Sequence, residues 1–240
     1  FIKFIPWKPQ LILYKHVVQH YQKPQNLNKI TLLTALLVFS NTFGQVQKKF
    51  FVEDVKSVVY VTVNFCVNNE AKISEVTIVA DKTTYENEYN IEQLRQYLLG
   101  VQYHTDSKLK NNCYDSTFEF INNKYENKSL NEEECNACEK FKTGIYEYKH
   151  VLYRDTKIKR KRKVQREIFK DGKQIYYIKW ISNCHYVLTY KKMTEPRLKH
   201  LIGKEIDVEI IDVLDDGSYV YKSKANFEEK TDFGIIKKIK

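Results

Sequence analysis

Across residues 135–240 the chain repeats one short pattern, runs in which apolar and polar side chains alternate, parted by turn residues. The runs are GIYEY, KIKRKRKVQREIF, QIYYIKWIS, CHYVLTYKKM, EIDVEIIDVL, SYVYKSKA and FGIIKKIK. A period of two sends successive side chains to opposite faces of a strand. Asp171-Gly172 and Asp216-Gly217 stand where two-residue hairpin turns need residues that tolerate a positive φ. About seven strands so punctuated predict an antiparallel meander, closed as a small barrel or folded on itself as a sandwich, with no helix required.

Residues 46–130 read differently. After the leading QKKFFVEDV, the stretches VVYVTVNFCVNN and AKISEVTIVA alternate and pair as a hairpin. Asn90 then stands as a helix N-cap with Gln93 three residues on, Ile91, Leu94, Tyr97 and Leu98 recur at helical spacing, and Gly100 closes the segment. YDSTFEFINNKY restores the alternation through Tyr114, Phe118 and Phe120. The expected class is α+β: a small ββαβ antiparallel sheet with one helix, followed by the all-β meander. The stretches VTVNFCV, ISEVTIV, IEQLRQYLLG and STFEF occur in an order that resembles the TonB C-terminal domain family. That resemblance implies periplasmic protein contacts made by adding a strand to a sheet edge. The NNEAK turn lacks the family's usual glycine, and VQYHTDSKLKNN lacks its Trp-Pro feature. With prolines only at Pro6, Pro9, Pro24 and Pro196, the chain has no Pro-rich span of the kind that energy transducers carry.

Residues 28–44, NKITLLTALLVFSNTFG, combine Lys29, an apolar core from Ile30 to Phe39, and small or polar residues with Thr42 and Gly44 preceding Gln45. This is the layout of a signal peptide, whose apolar core runs roughly 7 to 15 residues against about 20 for a membrane span. A buried core helix or a membrane anchor is the alternative. The ending FGQ is similar to leaders of Bacteroidetes envelope proteins. Cleavage near Gly44 makes residues 1–27 an upstream extension, places the product in the periplasm or otherwise outside the cytoplasm, and leaves no transmembrane span in the mature chain. No cysteine follows the cut to carry a lipid. The mature balance is then 35 basic against 30 acidic residues, half the net charge of the full chain.

Five cysteines allow three readings of ECNACEKFKTG. A redox dithiol wants its first cysteine at a helix N-terminus, but acidic residues precede Cys135. A zinc site wants two more ligands, from Cys184 with His185 or from His150, although neighbours on a strand face opposite ways. In an exported chain the remaining reading is structural disulfides. The stretches CEKFKTG, the Arg-rich hairpin, KWISNCHYVLTY and GKEIDVEI resemble a family of small uncharacterised exported flavobacterial proteins. In that family the cysteines matching Cys138 and Cys184 occur together, which implies that these two pair. Cys113 with Cys135 is the weaker second pair, leaving Cys66 buried, or Cys66 takes the place of Cys113.

Residues 154–173 hold ten basic and three acidic side chains. Arg160, Lys161, Arg162 and Lys163 are therefore expected on a surface that meets polyanions such as anionic lipid or polysaccharide, nucleic acid being an unusual partner for an exported chain. The bland alternative is a solvated hairpin edge. Trp180, Tyr186, Leu188 and Tyr190 are expected to face inward, filling the β module or lining a cavity for a small apolar ligand. Glu132, Glu133 and Glu134 read as a solvated linker rather than an acid–base pair. Without a nucleophile elbow or a phosphate loop, the reading is a non-catalytic protein that needs no cofactor and acts on an envelope protein partner.

Overall fold

The β-branched run VVYVTVNFCV forms the longest strand of the N-terminal sheet in the computed structural model, which describes residues 46–240. The expected extension 1–27 and signal peptide 28–44 lie outside the described residues. The sheet has the order β1-β4-β2-β3, built from β1 (Lys49–Val52), β2 (Val58–Val67), β3 (Ile73–Ile78) and β4 (Asn112–Asn122). β2 is antiparallel to β3 and β4, but β1 lies parallel to β4, so the sheet is mixed rather than antiparallel throughout. Phe50 explains the extra strand: its ring stacks on Phe120 at 5.2 Å and meets Tyr97 edge-on at 6.1 Å.

Helix α1 (Glu88–Leu99) crosses one face of this sheet. Its cap is Asn87, whose side chain accepts from the Asn90 amide at 3.1 Å, three residues earlier than the sequence suggests. Leu94 and Leu98 are buried with Val61, Val63, Phe65, Phe118 and Phe120, while Tyr97 stays at the rim, 41 % exposed. Full burial of each leucine contributes about 2 kcal/mol.

The meander closes. β5 (Gly144–Tyr148), β6 (Lys157–Lys161), β7 (Val164–Phe169), β8 (Gly172–Trp180), β9 (His185–Met193), β10 (Glu205–Val213), β11 (Ser218–Ala225) and β12 (Thr231–Lys238) each pair antiparallel with the next, and β12 pairs with β5. The described chain is thus mostly β with few helices: a small mixed sheet with one helix on it, and a closed eight-stranded antiparallel barrel. At the second hairpin Gly217 takes φ +79°, the region that favours glycine.

A short helix enters the barrel module after all. α2 (Glu132–Asn136) starts in a capping box, the Asn131 side chain accepting from the Glu134 amide and Glu134 accepting from the Asn131 amide. Glu132, Glu133 and Glu134, all exposed as expected of a solvated stretch, are its first turn, where the helix dipole favours carboxylates. The chain then turns through Glu139–Phe141, and Cys138 and Phe141 enter the interior cluster, plugging one end of the barrel.

Sheet and barrel belong to one compact unit. The sheet face away from α1 sets Val58, Tyr60 and Ile121 against Ile211, Val220, Phe233 and Ile235 on the barrel's outer wall, with Tyr125 among them. A bulge between Ile210 and Asp212 makes this possible: Ile210 packs inside the barrel while its neighbour Ile211 packs against the sheet.

Candidate functional site

On β6 the period of two is fixed by Ile158, which is fully buried in the barrel. The same parity carries Arg160 inward, 2 % exposed, and sends Lys157, Lys159 and Lys161 outward. This corrects the expected surface quartet: only Lys161, Arg162 and Lys163 are exposed, at the β6–β7 turn. Arg160 donates Nε–H to Gln165 Oε1 at 2.8 Å, Nη1–H to the Phe141 carbonyl at 3.1 Å, and Nη2–H to the hydroxyls of Tyr186 and Tyr219, each at 3.0 Å. Its guanidinium carbon also lies 4.9 Å from the Tyr146 ring centre and 4.8 Å from that of Tyr186.

Gln165 relays this cation to a buried anion, its Nε2 donating to Glu167 Oε1 at 2.8 Å, where the Tyr148 hydroxyl also donates at 2.9 Å. Burial raises the Glu167 pKa, and the hydrogen bonds from Tyr148 and Gln165, with the Arg160 charge, work against that rise. Burial likewise holds Tyr148, Tyr176 and Tyr219 well above the ordinary phenol range, so they remain neutral donors and acceptors. The arrangement surrounds an inward arginine with acceptors and links it through Gln165 to a carboxyl.

Trp180, Tyr186, Leu188 and Tyr190 all face this interior. They pack on one another and on the polar chain, Trp180 on Tyr186 at 4.6 Å and Tyr190 on Tyr176 at 4.8 Å. The indole Nε1 of Trp180 is buried without a hydrogen-bond partner. Two hollows of about 410 Å³ each lie outside the barrel, where its wall meets the sheet.

The cysteines pair otherwise than expected. Cys66 joins Cys113, and Cys135 joins Cys184, leaving Cys138 free and buried; neither Cys138–Cys184 nor Cys113–Cys135 forms. Cys66 and Cys113 are directly opposed in the β2–β4 register, with Cα atoms 4.0 Å apart. Helix α2 decides the other pair, since its axis turns Cys135 toward the β8–β9 loop, beside Ser182, and carries Cys138 into the barrel. Burial pushes the Cys138 thiol up to about 11, the opposite of an activated thiolate. The histidines weighed as zinc ligands are engaged elsewhere: His185 Nε2 lies 2.8 Å from Asp207, and His150 packs on the Tyr60 ring at 4.2 Å. Among the described residues no three potential ligands gather.

A second polar group, half-buried where sheet and barrel meet, escaped the sequence reading. Glu119 sits between Phe118 and Phe120, on the parity that the barrel wall covers. Burial pushes its pKa up to about 7, with Lys49 opposing and Asp232 adding to the rise. Its Oε2 and the nearby Tyr60 hydroxyl are buried without partners. Burial pushes His150, whose ring packs on that of Tyr60, down to about 4.

Two features remain on the outside. β3 is the outer strand of the sheet, with Ser74, Glu75 and Thr77 exposed. On the barrel, the outward positions of β6 to β9 carry Lys157, Lys159, Arg166, Lys173, Lys179 and Lys191, all exposed. No described helix is long and apolar enough to cross a membrane. Comparison of the chain with protein-family models, curated proteins and solved structures finds no match.

Proposed function

We propose that the protein is exported and acts as a non-catalytic binding module of the cell envelope, taking a segment of a partner protein as an added strand along β3. The observation that carries this reading is the state of that edge. The Val79 amide donates to the Thr62 carbonyl of β2 at 2.8 Å, and the alternation of an antiparallel ladder then turns the amides of Val76 and Ile78 away from β2. A bridge from Lys72 to Gln102 covers the start of the edge; beyond it no further strand lies along β3 among the described residues. Such a row of free backbone groups is what strand addition uses.

Export is supported by the leader-like stretch before Gln45 and by the two disulfides, which suit an oxidising compartment. The order of strands and helix around β3 supports the TonB C-terminal resemblance and its implied periplasmic contacts. The test is photo-crosslinking in cells from a probe placed at Thr77, followed by amide exchange on the reconstituted pair. The expected result is a single envelope protein whose binding slows exchange at Val76 and Ile78. Unchanged exchange at those two amides in the complex overturns the reading.

A further inference from the structure

The barrel wall formed by β6 to β9 carries a charge pattern that strand addition does not use. Cross-strand registers place Lys159 beside Arg166, Arg166 beside Ile175 and Ile175 beside Lys192 in one row. A second row sets Lys157 beside Ile168 and Ile168 beside Lys173. A third runs from Lys161 through Val164 and Tyr177 to Thr189, with Lys191 Nζ 4.3 Å above the Tyr177 ring. Neighbouring strands lie about 4.8 Å apart, so these cations form one continuous sheet of positive charge. The one acidic residue on these strands, Glu167, points into the barrel. None of the wall's cations forms an ion pair among the described residues.

The neighbouring wall is the internal control. There Lys222 meets Glu209 at 2.9 Å, and Lys124 and Lys128 each reach Asp212 at 3.3 Å. The sheet covers the side formed by β10 to β12, through Ile211, Val220, Phe233 and Ile235, and touches the β5–β6 connection at His150 and Val151. Within the basic field stand two exposed apolar side chains, Ile168 at 38 % and Tyr177 at 50 %.

We propose that this wall docks the protein on an anionic lipid surface. The charges are mostly lysine, compact point charges suited to a diffuse field of head groups rather than to bidentate readout. The surface is the convex outside of a barrel, whereas a single nucleic-acid strand is held in a groove with several stacking aromatics. Ile168 and Tyr177 supply the apolar contact that an interface rewards, tyrosine being suited to head-group depth. This inference does not depend on β3, so the two fail separately.

The experiment is co-sedimentation of the chain from Gln45 onward with mixed phosphatidylglycerol and phosphatidylcholine vesicles, alongside pure phosphatidylcholine vesicles. Binding is expected only to the anionic vesicles and to fall steeply as salt is raised. Replacing Lys157, Lys159, Arg166 and Lys192 with Ser should weaken it by tenfold or more, each cation contributing on the order of fivefold. Replacing Lys124, Lys128, Lys222 and Lys224 should change it less than about twofold, since three of these already have carboxylate partners. Ile168→Ser with Tyr177→Ser should weaken binding further at a salt level where the lysines are screened. Equal binding to both vesicle types overturns the proposal. So does heparin or single-stranded DNA displacing the vesicles while the Ile168→Ser, Tyr177→Ser variant binds them unchanged, which would make the wall a surface for linear polyanions.

Discussion

The protein buries charge in two places and treats it in two ways. Inside the barrel, Arg160 spends four donors on Gln165, Phe141, Tyr186 and Tyr219, and its counter-charge Glu167 is reached through Gln165 and held by Tyr148. Between barrel and sheet, Glu119 keeps one oxygen unpartnered and faces a Tyr60 hydroxyl in the same condition. A closed barrel can gather partners from many strands around one group, whereas a junction of two preformed faces brings together whatever each face happens to carry. The first site is therefore a structural cross-brace, and the second a place where proton uptake is coupled to packing.

The largest way to break the contrast is Arg160→Met. It strands Glu167 in the interior and should cost about 3–5 kcal/mol in denaturant unfolding, part of which the added substitution Glu167→Gln restores. Glu119→Gln, at the junction, should instead gain on the order of 1–2 kcal/mol at neutral pH, because the amide removes the cost of ionising a carboxyl whose pKa burial has raised. Equal losses from both changes would abolish the distinction.

The pH dependence sharpens it. Glu119, raised from 4.5 to about 7 in the folded protein, gives stability that is complete below pH 4.5 and lost as pH rises through 7. His150, lowered from 6.5 to about 4, gives stability that is complete above pH 6.5 and lost as pH falls through 4. The two slopes oppose each other between roughly pH 4.5 and 6.5, so the parent protein should look nearly flat there. Glu119→Gln should expose a loss of on the order of 2 kcal/mol on acidification, and His150→Phe a comparable loss on alkalinisation, read from urea melts across that range. Parallel slopes in the two variants would show that these groups do not titrate as described.

The smallest effect concerns a thiol in the braced region. Cys138 should resist iodoacetamide in the native protein at mild alkaline pH and react fully once unfolded, its pKa lying at about 11. Rapid native labelling would mean that the barrel end opens.

Much of this was written in the alternation. The hairpin of β2 and β3 and the inward set Trp180, Tyr186, Leu188 and Tyr190 follow from a period of two; the hairpin expected at Asp171-Gly172 forms one residue earlier, its turn on Lys170 and Asp171 with Gly172 already paired in β8. Arg160 was legible too, since Ile158 sets the parity of KIKRKRK, but a run with cations on both parities disguises which ones face water. The pairing of Cys135 rather than Cys138 depends on α2, whose Asn131 and Glu134 spell a capping box. β1 was not readable, because a four-residue strand of KFFV is too short to show a period and its parallel partner lies far along the chain. Nor was Glu119, whose burial is caused by a second module and not by its own strand.

The contact that closes the barrel, β5 with β12, joins residues that translation makes far apart in time. Until β12 arrives, β5 is an unpaired edge, Arg160 is wet, and the wall on which the sheet rests lacks Phe233 and Ile235. Closing so distant a pair is slow, because the loop entropy is lost before the contacts form. The N-terminal sheet therefore waits for the last strand to seat it.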